Sequence, residues 1–398
     1  MEGNIAWMLI STALVLFMVP GLALFYGGMV RSKNVLNMLN MNTYCLGVVP
    51  LLWVLFTFSL ANTGSGEGLA NLIGTFDNVG LKGLAGDADA LIAVAFSMTF
   101  AAITPALIAG AVADRMRFAA WAVFVPLWSI LVYTPVFYWV YYGWHHDLRP
   151  GAIDFAGGTA IHINAGVASL ALVLVLGRRA GWPETAMPPH NLPFVMLGAG
   201  ILWFGWFGFN AGSALAADGV AAQALLNTFV AASAGMIAWL AVEKLRDGHA
   251  TTLGGASGVV AGLVAITPAA GFVGGLSPIV FGAVASVCCY FAIQLKSRFG
   301  YDDSLDVVGI HMVGGIVGGL LLGFFADADV NGVDGLFFGD AGLVVSQLIA
   351  MVSVMAFSFV VTYGLATVLD RVMGLRVSAD AEQAGLDVSE HAETAYLD

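Results

Sequence analysis

The chain has 398 residues, of which 59% are hydrophobic and only 10% are charged, and its mean hydropathy is +0.88. Soluble domains carry about 25% charged residues, so this composition excludes an ordinary water-soluble fold. The net charge of −12 excludes a nucleic-acid-binding protein, because such proteins need a basic surface.

The first predicted element is a retained helix. The apolar run from Gly3 to Val30 has no basic start, exceeds the apolar part of a signal peptide, and ends in the basic stretch Arg31-Ser32-Lys33. Cysteine chemistry is not indicated, because all three cysteines lie inside apolar runs without the spacing of a disulfide framework or a zinc site: Cys45, Cys288 and Cys289. We therefore expect no metal and no cofactor.

Apolar stretches follow one another along the chain, each long enough to cross a bilayer, which takes about 20 residues. They lie near residues 5–30, 35–61, 90–113, 118–142, 156–177, 192–216, 219–242, 251–270, 276–295, 307–326 and 341–369. One uncharged run, 250–295, is split because residues 268–278 favour a turn. The sequence thus predicts an all-α integral membrane domain of about eleven helices over residues 1–370 and a tail over residues 371–398.

The basic residues predict the orientation of these helices. With the N-terminus outside, twelve of the fourteen lysines and arginines fall on the cytoplasmic side, as the positive-inside rule requires. Only Lys82 and Arg149 fall outside. The expected protein is a multi-pass protein of the cytoplasmic membrane with its N-terminus out and its C-terminus in.

Two segments of the chain resemble each other. Asp154 stands eight residues before His162, Asp303 stands eight residues before His311, and each segment ends in Ile-His. The histidines fall in the fifth and tenth predicted helices. An offset of five helices reverses orientation, so the pattern predicts an inverted five-helix repeat plus a final helix, with a site at the repeat interface.

The two histidines are the strongest functional candidates, because ionisable residues inside a membrane are costly. A neutral imidazole has one donor and one acceptor nitrogen, so His162 and His311 can bond to each other and still face a lumen. The alternative is that each histidine only crosslinks neighbouring helices. Metal or haem ligation is a weaker reading, because the helices offer no further ligands, and His145-His146 lie in an outer loop.

At this point the residues resemble a known family over almost the whole chain. The matching stretches are Gly21-Leu-Ala-Leu-Phe-Tyr-Gly-Gly-Met-Val-Arg31, Asp154-Phe-Ala-Gly-Gly-Thr-Ala-Ile-His-Ile-Asn164, His190-Asn-Leu-Pro193, Gly205-Trp-Phe-Gly-Phe-Asn-Ala-Gly-Ser213, Thr267-Pro268 and the block around His311. They resemble the ammonium transporter/methylammonium permease/Rhesus family. The resemblance implies a homotrimer of eleven-helix subunits, each with its own pore.

The resemblance also implies site residues. Phe100 and Phe209 would be stacked gate rings, His162 and His311 would line a hydrophobic lumen, and Ser213 would accept a hydrogen bond from ammonium in an outer vestibule. The phenylalanines by themselves do not differ from ordinary packing or lipid-facing aromatics. Asp154 would support the vestibule or simply cap its helix. Further pore-lining candidates within the matching stretches are Phe25, Tyr26, Trp206 and Thr267.

One position departs from the family pattern. The vestibule tryptophan is expected six residues after the proline of the fourth helix, and counting from Pro135 that position is Tyr141. Trp144 follows three residues later and is the alternative for the same role. Either ring offers a π face to a cation, worth about 0.5–2 kcal/mol.

The polar tail favours disorder by composition. Its Gly-Leu-Arg-Val and Gly-Leu-Asp-Val stretches nevertheless resemble the family's cytoplasmic tail, which packs under the trimer and helps to dock a PII-type signalling protein.

These observations predict a protein that conducts ammonium or ammonia, with methylammonium as a further possible substrate and membrane lipids around it. An ammonium sensor that signals through a cytoplasmic partner is the alternative. An intramembrane enzyme ranks last, because no nucleophile or metal constellation accompanies the histidines.

Overall fold

The computed structural model describes residues 2–64 and 71–396; Met1, residues 65–70, and Leu397 and Asp398 of the predicted tail lie outside this part. Ten helices in it are long and apolar enough to cross a membrane, and an eleventh apolar helix, α8, is shorter. They are α1 Glu2–Met29, α2 Ser32–Asn62, α3 Ala88–Val112, α4 Phe118–Asp147, α5 Gly158–Leu176, α6 Leu192–Gly212, α7 Gly219–Asp247, α8 Thr252–Ile266, α9 Ser277–Phe299, α10 Val308–Phe325 and α11 Gly342–Met373. The predicted all-α membrane fold is confirmed.

Local chemistry explains where several helices begin and end. Side-chain caps accept the first free backbone N–H groups of α3, α6, α7 and α8, from Asp87, Asn191, Asp218 and Thr251. Glycines in a left-handed conformation follow α7 and α9, at Gly248 and Gly300. A capping side chain thus marks the start of these four helices, and a glycine marks the end of these two.

Two helices end before their predicted limits. The predicted span 251–270 stops at Ile266, because Pro268 has no backbone N–H group with which to continue the hydrogen bonds of the helix. The predicted span 192–216 stops at Gly212, and Leu215 then takes a left-handed conformation with φ of 59°. Both chain reversals follow directly on the last helical turn.

Small residues let the helices approach closely. A Cβ atom on Gly198 of α6 would lie 2.3 Å from the backbone nitrogen of Phe25 on α1. A Cβ atom on Gly318 of α10 would lie 2.2 Å from the carbonyl oxygen of Ala265 on α8. Such contacts exclude any side chain, as expected for helices that pack in lipid. The Gly198 contact brings α6 against α1, and the Gly318 contact brings α10 against α8.

One end of the bundle holds a buried ion-pair network. Arg179 donates from Nε and Nη2 to the Asp302 carboxylate over 2.9 and 2.8 Å, and Asp114 accepts from Arg31 over 3.1 Å. Burial raises the pKa of Asp302, but the Arg179 hydrogen bonds and the charge of Arg115 outweigh burial and hold it below its ordinary value. We call this end the tail face, because the C-terminal tail packs there.

The tail is folded, so the interpretation of a disordered segment is wrong for residues 374–396. Two short helices, Ala379–Ala384 and Leu386–His391, lie against the bundle. Three tail carboxylates accept backbone N–H groups of the membrane domain: Glu382 from Ala180, Asp387 from Leu36 and Asn37, and Glu390 from Phe118. These hydrogen bonds satisfy groups that a helix start or a loop leaves unpaired.

Candidate functional site

An open cavity of about 320 Å³ lies at the end of the bundle opposite the tail face. We call it the vestibule. It is lined by Asn62, Ala93, Phe96, Ser97, Phe100, Phe137, Tyr141, Tyr142, Phe155, Ser213 and Leu215. Three of the predicted recruitment residues therefore line the same cavity: Phe100, Tyr141 and Ser213.

Trp144, the alternative to Tyr141, is not among these lining residues. Its ring packs edge-on against His145 with centroids 4.3 Å apart, and it contacts Trp139 at 6.0 Å. The α-helical part of α4 ends at Tyr141, and Trp144 begins the 3-10 turn that follows. Of the two rings, only that of Tyr141 lines the vestibule. The geometry favours Tyr141 for the vestibule position.

Ser213 is arranged as a hydrogen-bond acceptor. Its Oγ donates to the carbonyl oxygen of Phe209 over 2.8 Å, which uses its single hydroxyl hydrogen. The oxygen lone pairs then remain for a donor in the vestibule. An ammonium ion is such a donor.

The floor of the vestibule is a pair of stacked phenyl rings. The centroids of Phe100 and Phe209 are 4.3 Å apart with an angle of 26° between the planes, and Phe96 packs edge-on against Phe100. Both rings of the stack are buried, with 4% and 1% exposure. The stack separates the vestibule from a smaller cavity below it.

The two histidines meet in that smaller cavity, which we call the lumen. Their Nδ1 atoms are 3.2 Å apart, and the rings are nearly parallel, 19° between planes. His162 also stacks on Trp206, and its Nε2 is buried without a hydrogen-bond partner. The remaining lining is apolar: Met18, Leu22, Phe25, Ile103, Leu107, Ile161, Leu202, Trp206, Phe209 and Val260.

The lumen has a volume of about 10 Å³. A cavity of about 10–15 Å³ holds one water-sized molecule. The lumen thus fits a molecule of the size of ammonia in contact with imidazole and apolar groups. A cation there would lose its hydration, at a cost of at least about 2.5 kcal/mol at mid-membrane depth.

Both histidines stand on π-helical turns, Gly158–Ile163 and Val308–Met312. A π-helical turn shifts the following side chains around the helix axis, and such turns occur often at functional sites. The sequence did not predict these turns. In both segments the π-helical turn contains the Ile-His pair, so the two segments that resemble each other in sequence also share this local structure.

Asp154 holds the first of these turns in place. Its two carboxylate oxygens accept four backbone N–H groups over 2.6–2.9 Å, from Gly157, Gly158, Thr159 and Ala160. Asp154 does not line the vestibule or the lumen. Its counterpart Asp303 accepts from Val308 over 2.7 Å, and its second oxygen, Oδ1, is buried without a partner.

Two of the further pore candidates occupy different places. Thr267 is fully buried outside the linings described here; it accepts a hydrogen bond from Trp206 Nε1 over 2.9 Å and so fixes the ring that His162 stacks on. Tyr26 lines a third cavity, on the tail side of the histidines, and donates to the Leu107 carbonyl oxygen over 3.1 Å. Phe25 borders both this cavity and the lumen.

The third cavity, which we call the inner cavity, has a volume of about 20 Å³. Its lining includes His311, Ser257, Trp239 and the carboxylate-bearing Asp306. Sequence reasoning missed Asp306 and its partner Lys296. The signal was present, because the Asp303 segment carries a second acid three residues on that the Asp154 segment lacks.

In residues 2–64 and 71–396 no three His, Cys, Asp or Glu side chains come close enough together to hold a metal ion.

The cavities and rings follow one another in a series: an aromatic vestibule, a stacked pair of phenyl rings, a narrow lumen with two bonded imidazoles, and an inner cavity.

Comparisons with known proteins found similar sequences and structures over nearly the whole chain. A family model described as "Ammonium Transporter Family" matches residues 6–396. An ammonium transporter of Aquifex aeolicus is 50% identical over 402 residues, which cover 99% of this chain and 93% of that protein. The crystal structure of Saccharomyces cerevisiae Mep2 superposes with a TM-score of 0.89 at 34% identity, covering 96% of this chain and 88% of that one. A structure described as a sensor Amt protein gives a TM-score of 0.91 at 25% identity, with 98% of each chain covered.

Proposed function

The chain belongs to the ammonium transporter family, and from this premise we propose that it conducts ammonium or ammonia across the cytoplasmic membrane by the route that its three cavities outline. The observation that carries the proposal is the direct succession of the Phe100–Phe209 stack and the bonded histidine pair, with Phe209 lining the lumen. A cation-attracting entrance leads there into a space that fits only a small neutral molecule.

Recruitment takes place in the vestibule. The π faces of Phe100 and Tyr141 attract a cation by about 0.5–2 kcal/mol, and Ser213 Oγ accepts one of its N–H bonds. This combination suits ammonium, which has four donors, better than potassium, which has none. Methylammonium carries the same N–H chemistry with one added methyl group.

Before or at the phenyl stack ammonium transfers one proton, either to water in the open vestibule or to the relay of the histidine pair, because the charged form is costly in the apolar lumen. The ammonia lone pair and N–H groups then meet the imidazoles, whose mutual Nδ1 hydrogen bond requires one donor and one acceptor ring. In that pair His162 and His311 guide ammonia or pass its proton onward. Neutral imidazole rings carry no positive charge that would repel a cation. The exclusion of cations such as potassium therefore depends on the apolar lining of the lumen.

The assembly belongs to the same proposal. The excess of basic residues at the tail face supports an orientation with the vestibule outside and the tail inside. The family resemblance supports a homotrimer surrounded by lipids, with one pore in each subunit, and a PII-type protein at the tail face.

A sensor role is the second candidate. The similarity to a structure described as a sensor Amt protein favours it, over nearly the full length of both chains. A sensor binds ammonium without sustained conduction. Charge movement together with ammonia flux, followed as a pH change inside the vesicles, therefore separates the two roles.

The test is the current on a solid-supported membrane after an ammonium concentration jump on reconstituted protein. We expect a sustained, ammonium-dependent current in the wild type. His162→Ala and His311→Ala should each strongly reduce it or weaken its selectivity over potassium, since each leaves a buried nitrogen unpaired at a cost of about 1–3 kcal/mol. The double variant should be less than additively worse, because the rings act as one unit.

His190→Ala is the matched control, because it removes an imidazole at the tail side, outside the lumen. Wild-type current and selectivity in both lumen variants would show that the pair is only a structural crosslink. Ammonium binding with neither current nor ammonia flux in the wild type would favour the sensor.

A further inference from the structure

The inner cavity is lined by a carboxylate, Asp306, that already binds an ammonium group of the protein itself, the headgroup of Lys296. Lys296 Nζ, near the end of α9, donates to the Asp306 carboxylate and, over 3.1 Å, to the carbonyl oxygen of Asp303. Asp306 lines the cavity together with Ser257 and His311. The surroundings therefore already bind a primary ammonium headgroup, the closest side-chain analogue of the ammonium ion.

The charges around this cavity leave room for a second cation. Asp306 lines the cavity, and Asp303 and Lys296 lie next to it, so that two carboxyl groups stand beside one ammonium group. Burial and the nearby charge of Asp306 raise the pKa of Asp303 to about 6. Asp303 is 1% exposed, and its Oδ1 has no hydrogen-bond partner.

The size of the cavity sets the size of the guest. About 20 Å³ accommodates one water-sized molecule, given the requirement of about 10–15 Å³ for water. Ammonium meets that limit, whereas a larger organic cation does not. Trp239 and Tyr26 line the cavity and add aromatic faces, and Ser257 adds a hydroxyl acceptor.

We propose that the inner cavity is a second ammonium-binding site, in which the Asp306 carboxylate accepts the cation's N–H groups and the side chain of Lys296 is a tethered competitor. Ammonium binds when Lys296 swings away from Asp306, which is half-buried and reachable from the tail face. The site rests on the proposed function. Ammonium that enters from the tail face therefore binds the Asp306 carboxylate, whereas ammonium that enters from the vestibule does not need it.

The backbone supports a clean substitution at the key position. Asp306 takes a left-handed conformation with φ of 64°, which asparagine tolerates about as well as aspartate. Asp306→Asn thus removes the charge without straining the turn that precedes α10. Lys296→Met removes the competing headgroup and keeps the length of the side chain.

The experiment measures ammonium-jump currents on right-side-out and inside-out membrane vesicles, with trypsin access to the tail as the check of orientation. For jumps on the tail face, Asp306→Asn should raise the half-saturating ammonium concentration about tenfold, the effect of one lost charge-assisted hydrogen bond. Lys296→Met should lower it. Jumps on the vestibule face should give wild-type half-saturation in both variants.

Arg298→Gln is the matched control, because it removes an exposed cation from the same end of α9 and should change neither value. A purely structural ion pair predicts shifts of the same sign for Asp306→Asn and Lys296→Met, and this result would overturn the site. Unchanged tail-face values would do the same. Lys296→Met decides alone if Asp306→Asn does not reach the membrane. A wild type with neither current nor ammonia flux from either face overturns the proposed function, and the inference with it.

Discussion

Phe209 stands between two spaces of opposite chemistry. On one side its ring stacks on Phe100 above the vestibule floor, and on the other it lines the lumen beside His162. We therefore expect Phe209 to act in two ways, by supporting the Phe100 ring that faces the vestibule and by closing the lumen against water.

Replacing Phe209 with alanine should change both affinity and selectivity. We expect the half-saturating ammonium concentration to rise by a few fold, the equivalent of about 0.5–2 kcal/mol of cation–π attraction, and discrimination against potassium to fall as water enters the lumen. Currents with ammonium and with potassium measure both. Phe204→Ala is the control, because that ring is 57% exposed on the outer side of the same helix. Equal behaviour of the two variants would refute the gate assignment.

Tyr141 is the position where this chain departs from its family. Because its ring lines the vestibule while Trp144 packs on His145, Tyr141→Leu should raise the half-saturating ammonium concentration by a few fold, with about 0.5–2 kcal/mol of π attraction lost. Trp144→Leu should leave it unchanged. The reverse pattern in concentration-dependent currents would transfer the recruitment role to Trp144.

At the scale of the element, the π-helical turns are the feature that presents the histidines. Asp154 saturates four N–H groups at the start of α5, which would otherwise be buried without partners. The carboxylate is therefore part of the helix start and not a lining group of the vestibule. It fixes the backbone turn that carries His162.

Asp154→Asn should reduce the stability of the protein, because an amide keeps one acceptor oxygen and turns a donor towards two of the N–H groups. Each orphaned group costs about 1–3 kcal/mol, so the thermal unfolding temperature in detergent should fall clearly. Asp218→Asn is the control: that residue caps α7 through one N–H group at an exposed site, where asparagine caps equally well. Equal unfolding temperatures for the two variants would contradict this account.

At the scale of the whole molecule, the tail fastens separate helices together at one face. Glu382, Asp387 and Glu390 reach the loop after α5, the start of α2 and the start of α4, respectively. The tail has no core of its own. Its order therefore depends on these contacts with the membrane domain.

Asp387→Ala should loosen the tail, because it removes the acceptor for two backbone N–H groups at the start of α2. We expect faster tryptic cleavage after Arg376, at least a few fold for a loss of about 1 kcal/mol per hydrogen bond. Glu393→Ala, an exposed tail acid, is the control. The released C-terminal fragment, followed by mass spectrometry, gives the rate, and equal rates for both variants would refute the clamp.

Composition and periodicity were enough to predict the helical membrane fold, because a run of about 20 apolar residues has one favourable conformation in a bilayer. The same physics singled out His162 and His311, since an ionisable group in such a run is costly without a purpose. The Asp-x₇-His echo placed the two rings at equivalent positions of the repeat. In the structure their Nδ1 atoms lie 3.2 Å apart; their role as a pair in conduction stays a prediction.

The tertiary structure decided what local sequence signals leave open. The choice between Tyr141 and Trp144 depends on which turn of α4 faces the vestibule, and that is set by the packing of Trp144 on its neighbours. The order of the tail depends on N–H groups donated by residues more than 200 positions away. The inner cavity arises only where α1, α7, α8, α9 and the start of α10 converge, because a cavity belongs to the space between elements and no single element encodes it.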